Sequence, residues 1–134
     1  MPNIYLYVPR HSRVTFVPSL DYLSGLGHHP DRRRGAGPRA LISDLGQFDF
    51  PRGRMRLTHL HAGVRLEQVQ AKTGFPLDTA SPLAETEAPT AHELQLLREQ
   101  IDPLGIRRLE LLGGARRRQA LRDILQQERA LTVA

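Results

Sequence analysis

Six histidines are the first residues in this chain that could do chemistry, and a metal site is the chemistry they suggest. His59 and His61 are two apart in an alternating stretch, which places them on one face of a strand. His28 and His29 are adjacent in a glycine-rich loop near Asp31. The two pairs could share a zinc ion only if the loop folded onto the strand, and neither has the spacing of a standard zinc motif. His61 is therefore expected to close a strand at a glycine turn, and His28 and His29 to lie in solvent. Ser43-Asp44 supplies two members of a Ser-His-Asp set, but no G-x-S-x-G elbow accompanies them, so turn chemistry is the expectation. Asp78, Glu85 and Glu87 sit in a proline-rich stretch and read as solvated acids, because a general acid/base pair needs a rigid pocket. No P-loop and no G-x-G-x-x-G is present.

These residues must be positioned by short elements. Ile4–Val8 is an apolar, β-favouring run ended by Pro9, and Val14–Val17 reads as a second one ended by Pro18. The stretch 24–38 (SGLGHHPDRRRGAGP) is the largest loop. Gly25 and Gly27 permit positive φ or close backbone approach, and together with His28 they are the candidate ligand-binding residues, on the phosphate or pantetheine side of a ligand. A plain surface connection is the competing reading, and composition alone favours it.

From Arg39 to Gly74 the chain reads strand, turn, strand, helix: β-rich 39–50, the turn Pro51–Gly53, the alternating strand 54–60, and a short helix through Leu66 and Val69 with Gly74 as its C-cap. The two strands are expected to form an antiparallel hairpin. Residues 75–89 are expected to be an extended loop. Thr90 and Glu93 form a capping box for a helix lined by Leu94, Leu97 and Ile101, stopped at Pro103 and Gly105. Residues 115–131 return to helical pattern.

Composition narrows the field further. A length of 134 residues suits one domain. The absence of cysteine excludes disulfides and thiolate chemistry, and with no basic, apolar leader and no run long enough to cross a bilayer the expected location is cytoplasmic. The formal charge of +5 is carried almost wholly by arginine, Lys72 being the one lysine, which suits anionic ligands such as coenzyme A. The triplets Arg32–Arg34 and Arg116–Arg118 raise a basic interaction module binding nucleic acid or anionic surfaces as an alternative. Neither triplet has the aromatics or recognition helix that base reading uses, so nucleic acid is not the expected partner.

Three segments then resemble a known family: RALISDLGQFDF, GRMRLTHLHAGVRLEQVQAKTGF and PTAHELQLLREQIDPLGIRRLE. They are similar to the C-terminal half of the class I CoA-transferase β subunit, in particular that of glutaconate CoA-transferase. The carrying motifs are L-G-x-F-x-F at Leu45–Phe50, L-H-x-G at Leu60–Gly63, T-G-F at Thr73–Phe75 and I-D-P-x-G at Ile101–Gly105. The resemblance covers residues 1–110, leaving 111–134 as a basic amphipathic tail helix. It implies an α/β architecture: a partial CoA-transferase fold of the NagB/RpiA-like type, with a mixed sheet, a hairpin and C-terminal helices. It also implies an acyl-CoA substrate, with coenzyme A as substrate moiety and no covalently bound cofactor. The implied partner is a CoA-transferase α subunit or the missing N-terminal half.

In the transferases a β-subunit glutamate in an E-x-G motif attacks the thioester. None of Glu67, Glu85, Glu87, Glu93, Glu99, Glu110 or Glu128 lies in such a motif. The chain is therefore expected to be a partial β subunit, inactive alone, contributing no catalytic residue. A second branch of the family lacks the glutamate and opens ring-containing CoA thioesters by hydrolysis, and this is the alternative activity. Half of such a sheet leaves an edge strand open, so self-association through Ile4–Val8 or the tail helix is expected.

Overall fold

The computed structural model describes residues 3–132. They form two compact units, divided between Glu87 and Ala88.

The first unit is a five-stranded sheet: β1 (Ile4–Val8), β2 (Pro38–Ser43), β3 (Gly46–Asp49), β4 (Arg56–Leu60) and β5 (Asp78–Glu85), lying side by side in chain order. The pairs β1–β2 and β4–β5 are parallel, while β3 runs antiparallel to both β2 and β4. Four strands thus share one direction and β3 opposes them. The hairpin expected across Pro51–Gly53 is present as β3–β4. The stretch 39–50 is not one strand, however. It folds back at Asp44-Leu45, where Ser43 Oγ accepts the Leu45 N–H at 3.1 Å and gives the turn an internal partner.

The period-2 pattern selects the covered face. Leu41 pairs with Phe48 and Phe48 with Leu57, so the three side chains cross the sheet on one side. Helix α1 (Leu66–Lys72) connects β4 to β5 and sets Val69 on them; Phe16 and Leu45 complete the core. The opposite face carries Tyr5 and Tyr7, with Ile42 beside Tyr7, and all three are exposed.

Three segments depart from expectation. Val14–Val17 is not a strand. The N–H groups of Thr15 and Phe16 bond the Ser12 carbonyl at 3.0 and 2.8 Å, making a turn that buries Phe16 and leaves Val14 in solvent. Residues 75–89 contain a strand, β5. While β4 advances from Leu57 to His59, its partner advances from Thr79 to Ala84, so the segment holding Pro82 bulges out of a sheet edge, where proline removes no needed donor. Gly74 is not the helix cap, which is Thr73 in extended backbone. Gly74 is required instead by proximity. Its N–H donates to the Phe16 carbonyl at 2.7 Å, and a Cβ there would collide with that same oxygen. Gly74→Ala is expected to destabilise the unit by about 1–3 kcal/mol, through the displacement it forces on the Phe16 turn; urea unfolding measures it.

The second unit begins with helix α2 (Ala91–Gln95), which runs into a π-helical turn over Leu96–Ile101. Thr90 Oγ1 accepts the Glu93 N–H at 3.2 Å and Glu93 returns a carboxylate to the Thr90 N–H at 2.7 Å, the expected capping box. Asp102 then accepts from the N–H groups of Ile106 and Arg107 at 2.7 and 3.1 Å and opens the 3-10 helix Ile106–Leu111. Helix α3 (Gly114–Thr132) closes the chain. Among the described residues no helix is long and apolar enough to cross a membrane.

Candidate functional site

In open α/β sheets, ligands bind outside the carboxyl ends of the parallel strands. Here those ends are Val8, Ser43, Leu60 and Glu85, and the residues just beyond or at them make one hydrogen-bonded group. His11, 2% exposed, stands at its centre. Its backbone N–H donates to Asp44 Oδ1 at 2.6 Å, and its ring stacks on Phe16 with centroids 3.9 Å apart.

The ring's protonation follows from its neighbours. Thr73 Oγ1 donates to the Val69 carbonyl at 2.8 Å, so it must accept from His11 Nε2–H at 3.0 Å. His11 Nδ1 is then an acceptor and takes the Ser43 hydroxyl proton at 3.0 Å. His61 repeats the logic: its Nε2–H donates to the Ser43 carbonyl and its Nδ1 accepts from Thr86 Oγ1, both at 2.9 Å. Burial holds His11 below its ordinary pKa, with Asp44 pulling it up and Lys72 pushing it further down.

A serine hydroxyl on an imidazole has the form of a nucleophile–base pair. Ser43, like His11, is 2% exposed, and the ring's other nitrogen faces a threonine rather than an orienting carboxylate. The group therefore works as a polar tie between four strand ends, the β1–β2 crossover and α1, with no accessible nucleophile. Sequence reasoning did not assign His11, Thr73 or Thr86 a role, and it left Ser43 and Asp44 to turn chemistry. The available signal was the spacing of L-H-x-G and T-G-F, whose His61 and Thr73 are the two outer partners.

The residues that the sequence proposes for ligand binding lie on the crossover from β1 to β2, and the cleft that His28 lines is at the opposite, amino end of the parallel strands. Gly25 is exposed, with open space around it. Gly27 has φ +49, and its carbonyl accepts from Arg32 Nη1 at 3.1 Å. Arg32 also donates to the Gly35 carbonyl at 3.2 Å, so its guanidinium is used to close the loop. His28 is not in solvent. Its ring lies 5.2 Å from that of Phe50, and its Nε2 is buried with no hydrogen-bond partner among the described residues. With Asn3, Gly37, Arg39, Asp49 and Phe50 it lines a cleft of about 430 Å³. Among the described residues no three His, Asp or Glu side chains gather in a way that could hold a metal ion.

No family model matches the chain. The cholesterol ring-cleaving hydrolase IpdB subunit of Mycobacterium tuberculosis is 35% identical over 112 residues, which cover 78% of this chain and 45% of that protein. The β subunit of glutaconate CoA-transferase from Acidaminococcus fermentans is 33% identical over 104 residues, covering 70% of this chain and 39% of that one. The crystal structure of Rhodococcus jostii IpdAB superimposes with a TM-score of 0.72 at 32% identity, over 81% of this chain and 46% of that one. The chain thus spans less than half the length of these relatives. Over most of its length the chain is thus a homologue of CoA-transferase β subunits and of the IpdB hydrolase subunit, and it shares their α/β fold.

Proposed function

We propose that the chain is a β-subunit-like component of a larger cytoplasmic assembly acting on acyl-CoA thioesters, with coenzyme A as the substrate moiety and no covalently bound cofactor. An α-subunit-type partner completes the assembly. The observation that carries this reading is the agreement of fold and sequence with IpdAB, whose IpdB component is a ring-cleaving hydrolase subunit. The loop of Gly25, Gly27 and His28 is proposed to meet the coenzyme A moiety; of the three, His28 lines the cleft, together with Gly37, Arg39 and Phe50, and the cleft has room for a chain-like ligand.

Within the family, the hydrolytic branch is favoured over transfer. The match to the hydrolase subunit extends over 78% of the chain, against 70% for the glutaconate transferase. The purified chain, given an acyl-CoA and a free acid, is expected to exchange no CoA. With an α-subunit partner the expected products are free acid groups from water addition. Mass spectrometry of the CoA species reads both, and transfer by the chain alone would overturn the proposal.

The edge position of β1 and the exposed apolar side chains of Tyr5 and Ile42 also predict association. Light scattering is expected to give a mass above one chain at high protein concentration; a strictly monomeric species would count against it.

A further inference from the structure

The turn between β3 and β4 holds an arginine where glycine is the natural choice. Arg52 has φ 54 and ψ 30, and among the described residues it is the one non-glycine with positive φ. A side chain in this region meets a steric penalty that Gly avoids and Asn tolerates. Strained positions of this kind gather at ligand sites, where the side chain has a use that outweighs the cost.

The surroundings of Arg52 indicate the use. Arg52, Arg54 and Arg56 line one hollow of about 550 Å³ with Pro51, Asp78 and Thr79. Arg56 grips Asp49 with two bonds, 3.0 and 2.6 Å, and Arg54 pairs with Asp78 at 3.2 Å. Arg52 makes no ion pair among the described residues and is exposed, so its charge is uncompensated. Pro51 also lines the cleft that contains His28, so the two spaces meet at the turn.

We propose that this hollow binds nucleotide phosphate groups, with Arg52 as the charge that meets them and Arg54 and Arg56 as walls fixed by their carboxylates. Guanidinium recognises phosphate through charge-assisted, two-pronged bonds. The proposal rests on the reading above that coenzyme A is the substrate moiety: its nucleotide end would occupy the arginine hollow and its pantetheine the adjoining cleft.

Titration calorimetry of the full chain with ADP, with pantetheine and with coenzyme A tests it, on the wild type, Arg52→Gly and Arg52→Lys. ADP is expected to bind in a salt-sensitive way. Arg52→Gly should weaken ADP about tenfold, the loss of one charge-assisted contact, while leaving the thermal midpoint unchanged or higher because glycine accepts the backbone angle. Arg52→Lys should restore part of the affinity. Equal ADP affinity in the wild type and Arg52→Gly would overturn the phosphate site, even if pantetheine and coenzyme A bound. Arg52-dependent ADP binding, with pantetheine inert and coenzyme A no tighter than ADP, would leave the phosphate site standing and remove the coenzyme A reading.

Discussion

Leu57→Ala is expected to destabilise the sheet unit by about 3–5 kcal/mol, enough to unfold much of it at ambient temperature. Leu57 is fully buried, as is Val69, and Phe48 is 1% exposed; all three belong to the core beneath α1. The buried hydrophobic set among the described residues is only Phe16, Leu41, Leu45, Phe48, Leu57 and Val69, so no second core there shares the load. A domain's whole stability is about 5–15 kcal/mol, and a small one sits at the low end. The sheet also limits relaxation. Leu57 lies between β3 and β5, and Gly46 already touches the β4 backbone, where a Cβ would collide with the His59 carbonyl oxygen. The strands therefore have little freedom to close the void. Leu20→Ala is the control: Leu20 is 64% exposed, and a change within about 0.5 kcal/mol is expected. Chemical denaturation of both variants measures the difference. A Leu57→Ala cost below that of an exposed leucine would mean that this core does not hold the unit together.

What could be read from the sequence was the part that period and capping encode. The alternation around Leu57, the Thr90 capping box and the hairpin turn Pro51–Gly53 were all legible, because each is decided by residues within a few positions. The missed elements depend on distant partners. The run at Val14–Val17 has strand composition, yet Phe16 turns inward because the core and the His11 ring lie there, and the Gly74 N–H donates to its carbonyl. β5 holds a proline and three acids in and around it, and it is a strand only because β4 offers an edge. The family motifs were visible as patterns but not as roles. Leu45 and Phe48 of L-G-x-F-x-F are core, His61 of L-H-x-G and Thr73 of T-G-F bind the strand ends, and Asp102 of I-D-P-x-G caps a helical turn. His11 carries no pattern at all. It is 32 residues from Ser43 and 62 from Thr73, and only the folded sheet joins them.

That polar tie makes the stability of the sheet unit depend on pH. Folding favours the neutral form of His11: burial opposes its charge, Asp44 favours it and Lys72 opposes it, and the net pKa is below the ordinary 6.5. A depressed folded pKa means that the unfolded chain binds the proton first as pH falls. The contribution is thus fully present above about pH 6.5 and is lost on acidification from there through the lower folded value, with a slope of at most about 1.4 kcal/mol per pH unit. The structural reason is specific. A proton entering at Nδ1 meets a Ser43 hydroxyl that already accepts the Leu45 N–H and gives its own proton to that nitrogen. Protonation therefore removes the acceptor for the Ser43 proton and sets two donors against each other in a buried place, which costs more than an exposed titration would. Urea unfolding from pH 5 to pH 8 should show wild-type stability rising through this window. His11→Gln is expected to be less stable at pH 8, since glutamine cannot reproduce both ring bonds and the stack on Phe16, and to show a flatter rise toward it. Because the other histidines are retained in the variant, subtracting its profile isolates His11. Parallel profiles for the two proteins would show that His11 does not titrate with folding, and the buried tie would then be a packing feature with no part in the acid response.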